Sequence, residues 1–367
     1  MKILFVEPHE SSLFSFRKEL LDSLIKEGHE IVLCIESTNK VISEYSHLLK
    51  IVNVPMNLKD KSVLSNIRLK NAYKKIIKEE RPDIILSYKI KPNIYCGLYA
   101  KRIPMIANIT GLGNIFKSNG LLSRIGIMLY KRSFKNVSCV FFQNEDSYQF
   151  FCRHKIPVHN YRIIPGSGVN TQIFLPSPIP DGETINFLFA SRAIREKGFF
   201  LLVDAIPFVI EKNHNVHFNF LNAEEDINSI PPFKFLLEEY KEFVSVLPRS
   251  NDIQNIYENN DYLVSPSYYR EGLSNVLLES LACARPIITT NDNPGCKEAL
   301  VEGVNGFGIK SNNLQNLVDV LILASQTTKE RIKEMGLNGR AFVTTKFDRK
   351  LVIKEYIDVI NSLTAKR

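Results

Sequence analysis

Two glutamates eight residues apart, Glu271 and Glu279, bracket the apolar stretch "EGLSNVLLE". A carboxylate can accept two O–H donors, so it suits vicinal sugar hydroxyls, and it can also offset positive charge at a reacting carbon. The run from Ser274 reads as the start of a helix that follows the strand-like "DYLVSPS". First-turn N–H groups have no partner inside a helix and carry the positive end of its dipole. Leu273, Ser274, Asn275 and Val276, with Gly272 in the preceding turn, are therefore an expected phosphate site. Glu271 at its rim would reach a sugar hydroxyl or a developing positive charge, and Glu279 both hydroxyls of a ribose. Solvated charges are a poor reading of this segment, because its flanks look buried and an unpaired charge there is costly.

A turn of this kind needs a strand before it and a helix after it, and the chain repeats that unit. "KILFV" predicts a strand, "EPHESSLFSF" a loop, and "RKELLDSLIKEGHE" a helix ending at Gly28. "EIVLCI", "DIILS" and "VSCVFFQN" predict further strands, with a helix over "SNIRLKNAYKKIIKEERP". Continuous apolar strands alternating with helices argue for a parallel sheet covered on both faces. The segment "LPSPIPDGET" reads as a linker, and the alternation restarts after it with "INFLFAS". The expected fold is α/β, with two Rossmann-like doubly wound domains facing across a cleft. Residues 1–175 would form the N-terminal domain, 176–184 the linker and 185–345 the second domain, with a helix over the C-terminal 346–367.

The net charge of +8 is unevenly spread. Up to residue 175 there are 26 Lys and Arg against 14 Asp and Glu, and beyond it 21 against 25. A basic N-terminal half suits nucleic acid, an anionic membrane or a phosphorylated substrate. No zinc-finger spacing or aromatic-interleaved basic motif supports the first. "FKSNGLLSRIGIMLYKRSFKN" mixes cations with large apolar residues as an interfacial helix does. No stretch predicts a signal peptide or a membrane span, so the expected location is cytoplasmic. Six cysteines without a C-x-x-C pair predict reduced thiols, and no metal site is expected.

On these residues the chain resembles the retaining GT-B glycosyltransferases of family 4, whose E-x7-E motif "EGLSNVLLE" matches. "SRAIREKG" is similar to that family's G-R-x-x-x-x-K-G stretch, and "NDNPGCKEALVEGVNGF" to its P-G-C-x-E and N-G-F segments. "NITGLGNIF" and "CVFFQNEDSYQFF" resemble segments of the branch that builds cell-surface oligosaccharides. The resemblance implies that Arg192 and Lys197 hold the donor diphosphate, Glu271 the sugar and Glu279 the ribose, with Glu298 supporting the site. "SSLFSFR" lacks the usual glycine-rich loop and resembles the S-F-x-x-F-R form, which places Arg17 against an acceptor phosphate or the donor. Gly111 and Gly113 in "ITGLGN" allow close backbone approach to substrate. The family's N-domain histidine is missing from "SYKIKPNIY", where Lys89 or Lys91 takes its neighbourhood; His9 is a spatial substitute.

The resemblance implies a metal-independent enzyme that needs no cofactor and moves a sugar from a UDP-sugar, with retention, to a lipid-diphosphate-linked saccharide. An N-acetylhexosamine or hexose is favoured, in bacterial-type capsule or lipopolysaccharide synthesis, with no nucleic acid involved. The enzyme would sit peripherally at the inner face of an anionic membrane. Two alternatives are a UDP-sugar 2-epimerase of the same fold and a non-catalytic nucleotide-sugar-binding subunit.

Overall fold

The computed structural model describes residues 1–54, 62–112, 116, 120–221, 227–250, 252–269 and 272–365. These form two compact units, one of residues 1–167 with 350–367 and the other of residues 168–349.

The first unit runs β1 (Lys2–Val6), α1 (Glu10–Phe16), α2 (Lys18–Lys26), β2 (Glu30–Ile35), α3 (Asn39–Tyr45), β3 (Lys50–Asn53), α4 (Val63–Glu80), β4 (Ile84–Tyr88) and α5 (Ile90–Ala100). It continues through β5 (Met105–Ile109), α6 (Leu121–Ser133), β6 (Cys139–Phe142), α7 (Glu145–Arg153) and β7 (Tyr161–Ile163). Among the described residues its strands form one parallel sheet in the order β3-β2-β1-β4-β5-β6-β7. Side chains alternate across the sheet. Leu4, Val6 and Ile85 enter the core that also holds Tyr73 of α4, Cys96 of α5 and Tyr130 of α6. Ile3, Phe5, Ile84 and Leu86 enter the opposite core, with Leu13 of α1 and Leu21 and Leu24 of α2.

The second unit runs β8 (Ile185–Phe189), α8 (Phe199–Lys212), β9 (Val216–Leu221), α9 (Pro231–Glu239), β10 (Val244–Leu247), α10 (Ile253–Glu258), β11 (Tyr262–Ser265) and α11 (Asn275–Ala282). There follow β12 (Ile287–Thr290), α12 (Pro294–Lys297), β13 (Gly306–Ile309), α13 (Leu314–Ser325) and α14 (Lys329–Lys346). Its parallel sheet has the order β10-β9-β8-β11-β12-β13 among the described residues. The last helix, α15 (Arg349–Thr364), starts at the end of this unit and packs on the first. Its Val352, Tyr356, Val359 and Ile360 share one helical face and lie in the core with Phe5 and Phe141. Burying each such side chain contributes about 1.5–3 kcal/mol.

Two local expectations change. "SSLFSF" is not a loop: Glu10–Phe16 is helical, with an acidic residue in its first turn and Leu13 buried. The proline-rich 176–184 stretch lies within the second unit, because the chain changes unit at Ser167–Gly168 and Arg349–Lys350. Arg285, 1% exposed, grips that stretch by donating to Ser177 O at 2.9 Å, Ser177 Oγ at 2.8 Å and Pro178 O at 2.6 Å. All six cysteines are free, and five of them are buried. Among the described residues no helix is long and apolar enough to cross a membrane.

Candidate active site

In each sheet the strand order reverses once, between β1 and β4 in the first unit and between β8 and β11 in the second. Beyond the carboxyl ends of two such strands the connections diverge and leave room for a ligand. Arg192 and Lys197 lie on the connection after β8, and His9, Arg17 and Lys89 on the connections after β1 and β4.

In the second unit, the chain after β8 reaches Arg192 and then a 3-10 turn, Arg195–Lys197, that ends at Gly198. Gly198 has φ +77°, and a Cβ there would meet Pro266 O at 2.3 Å. Only glycine lets the two loops approach so closely. The Tyr268 N–H donates to Glu196 O at 2.9 Å, and Ser267 Oγ to the same oxygen at 3.4 Å. This junction brings both expected cations to one aromatic ring. The Arg192 guanidinium lies 5.6 Å and the Lys197 ammonium 5.3 Å from the centroid of Tyr269. Arg192 is exposed while Lys197 is buried. Cation–π contacts of this kind contribute roughly 0.5–2 kcal/mol each. Tyr269 carried no motif signal in the sequence; only the fold places it.

The start of α11 is braced from the side. Asn293 Nδ2 donates to Ser267 O at 2.7 Å and Tyr269 O at 3.3 Å, and the Ser274 N–H donates to Gly295 O at 2.9 Å. The Ser274 amide is thus engaged within the protein, contrary to the expectation of a free N–H there. Ser274 is the N-cap, and Asn275 and Val276 begin the helix, both half-buried. Gly272 and Leu273 are buried beside them. Glu298 follows α12 and is half-buried. Glu271 lies outside the described residues.

Glu279 is not a solvated helix charge. Its Oε2 accepts from Tyr257 Oη at 3.0 Å. Burial pushes its carboxyl above the usual range, while the Tyr257 hydrogen bond and the Arg349 charge pull it back.

In the first unit the carboxyl ends of β1 and β4 bring together Glu7, Lys89 and Arg17. Glu7 is fully buried, and its Oε1 accepts the His9 N–H at 3.5 Å. Lys89 adopts φ +73° as N-cap of α5. Arg17 is 3% exposed. Its guanidinium sits 4.4 Å from the Tyr88 ring centroid and donates to Ser167 Oγ at 3.0 Å. Burial raises the Glu7 carboxyl, against the pull of Lys89 and Arg17. Burial lowers the Lys89 ammonium, against the pull of Glu7. His9 is lowered by burial and then by Lys89. Lys91 stands two residues further along, half-buried. Gly111, at φ +127°, holds a turn after β5 that disfavours other residues. Gly113 lies outside the described residues. Sequence reasoning missed Glu7; its position directly after a buried strand was the available signal. Among the described residues no group of three or more His, Cys, Asp and Glu side chains is placed to hold a metal ion.

Comparison with known proteins covers both units. Residues 2–144 match the family model described as glycosyl transferase 4-like, and residues 184–326 the one described as glycosyl transferases group 1. An N,N'-diacetylbacillosaminyl-diphospho-undecaprenol alpha-1,3-N-acetylgalactosaminyltransferase of Campylobacter jejuni is 25% identical, covering 97% of each chain. A capsular polysaccharide biosynthesis glycosyltransferase, CapM, of Staphylococcus aureus is 26% identical over 47% of this chain and 45% of its own. Among solved structures, Anabaena Alr3699/HepE in complex with UDP-glucose has a TM-score of 0.76 at 16% identity, covering 99% of this chain and 100% of that one.

Proposed function

The chain belongs to the GT-B glycosyltransferases of family 4, and from that premise we propose that it transfers a hexose or N-acetylhexosamine from a UDP-sugar to a lipid-diphosphate-linked saccharide in surface glycan synthesis. The observation that carries the donor side is the convergence of Arg192 and Lys197 on Tyr269 at the strand-order reversal of the second unit. Two cations there match a diphosphate, and their charge stabilises it most as the glycosidic bond breaks. Asn275 and Val276, in the first turn of α11, supply further positive potential. Glu279 takes the ribose, Glu271 the sugar, and Glu298 supports the loop.

The proposed reaction retains the anomeric configuration. The acceptor oxygen bonds to the anomeric carbon on the face that the diphosphate leaves, and the acceptor proton passes to the departing phosphate oxygen. No metal or cofactor is part of this scheme, so activity should survive a chelator.

The first unit serves the acceptor. Arg17 and Lys89, with Lys91, are suited to phosphate oxygens, and Gly111 and Gly113 to close backbone approach. Lys89, rather than His9, takes the place of the missing histidine, because it follows β4 directly beside Glu7 and Arg17. The name of the Campylobacter relative supports a lipid-diphosphate acceptor. Contact with an anionic membrane at the cytoplasmic face is supported by α6, where exposed Leu121, Leu122, Ile125 and Met128 are interleaved with Arg124, Lys131 and Arg132.

The test is incubation with UDP-sugars and an undecaprenyl-diphosphate saccharide, followed by NMR of the product. An α-linked product from an α-linked donor is expected. An epimerised nucleotide sugar formed without acceptor, or an inverted linkage, would overturn the reading.

A further inference from the structure

Tyr257 reaches Glu279 from a neighbouring helix. It is 1% exposed, and its ring lies in the core around α11 and meets Phe174 edge-on at 6.2 Å. Its backbone carbonyl accepts from the buried Arg285 Nε at 3.2 Å. Backbone and ring are thus both held, and the hydroxyl is a fixed donor. A phenol has one proton to give. Two acceptors compete for it, Glu279 Oε2 at 3.0 Å and Val276 O at 3.4 Å. The shorter bond is to the charged group and is the stronger. With Oε2 engaged, rotation of the carboxylate is arrested and Oε1 is left as the acceptor for a ligand. Arg349 adds a favourable charge from another element.

We propose that Tyr257 is a positioning residue for donor binding, its hydroxyl fixing the Glu279 carboxylate so that Oε1 meets the ribose hydroxyls of the nucleotide. The inference rests on the reading of Glu279 as the ribose acceptor. Burial alone would leave this carboxylate free to turn about its last bond and to hold a proton more readily. The Tyr257 hydroxyl opposes both, at a cost of one buried polar atom that a phenylalanine would not carry.

The test compares UDP with 2',3'-dideoxy-UDP by calorimetric titration of the unaltered protein, Tyr257→Phe and Glu279→Gln, with thermal unfolding recorded on the same samples. Phenylalanine keeps the ring and its packing. The unaltered protein should prefer UDP by about tenfold, the size expected for a hydrogen bond to a charged group. Tyr257→Phe should weaken UDP about fivefold and leave dideoxy-UDP unchanged. In turnover it should raise the donor KM with kcat nearly constant, because the ribose interaction is the same in ground and transition states. Equal weakening of both nucleotides would mean a purely structural role and overturn the inference. So would a full preference for UDP in Tyr257→Phe when Glu279→Gln has lost it. If Glu279→Gln keeps the preference, the ribose reading itself falls, and the inference with it.

Discussion

The two units share a sheet plan and place charges at the same topological point, yet the first holds them in its interior while the second leaves one, Arg192, exposed. In the first, Glu7 and Arg17 are 0% and 3% exposed, and Lys89 is packed beside them. In the second, Arg192 stands in solvent and meets Lys197 over a tyrosine ring. Buried charges interact strongly with one another but resist rearrangement, because each has already given up its water. Arg192, exposed beside the buried Lys197, keeps more of its hydration and can close on a multiply charged anion. The contrast is what the proposed function requires, with the highly charged nucleotide in the second unit and a fixed, weaker recognition task in the first.

The predictions that break or sharpen this contrast start with the largest. Lys197→Ala or Arg192→Ala should lower kcat/KM for transfer by at least about a hundredfold, roughly 3 kcal/mol of transition-state stabilisation. Steady-state kinetics with folding checked by circular dichroism decides it, and normal turnover in both variants would erase the distinction between the units. Gly198→Ala should destabilise the second unit by about 2–3 kcal/mol, since it combines a left-handed backbone with a Cβ against Pro266 O. Denaturant unfolding measures that loss. Arg17→Ala or Lys89→Ala should raise the acceptor KM about tenfold while the donor KM holds, the pattern expected when one cation is taken away from a bound phosphate. A raised donor KM instead would move the nucleotide to the first unit.

The smallest effect is on pH. The folded Glu7 carboxyl holds its proton more tightly than the ordinary group near 4.5. As pH climbs past that value the unfolded chain gives up this proton first, so the folded state binds more protons and stability falls until Glu7 itself ionises. Glu7→Gln should flatten that segment of the stability curve, measured by denaturant midpoints between about pH 4 and 7. An unchanged slope would mean that Glu7 is not the buried group described.

The sheets were legible because strands such as "KILFV" and "EIVLCI" carry their burial in a local pattern, and α15 because its apolar residues recur at helical spacing. The strand and helix flanking "EGLSNVLLE" were legible for the same reason. What escaped depends on distant partners. The stretch 176–184 has a linker's composition, but Arg285, more than a hundred residues away, holds it in the second unit. Arg17 is buried against Tyr88 and Ser167, which lie far from it in sequence. The helix α5 was not read from "SYKIKPNIY", although Pro92 stands in its first turn, where its missing N–H has no role. Tyr269 and Tyr257 act on residues outside their own segments, and spacing alone does not reveal such partners.

The contrast between the units is tested most directly by calorimetric titration of UDP into the unaltered protein, Lys197→Ala and Arg17→Ala. UDP affinity should fall about tenfold or more in Lys197→Ala, which removes a cation proposed for the diphosphate, and stay within about twofold in Arg17→Ala, for which no such role is proposed. Undiminished binding in Lys197→Ala, or an equal loss in Arg17→Ala, would contradict it.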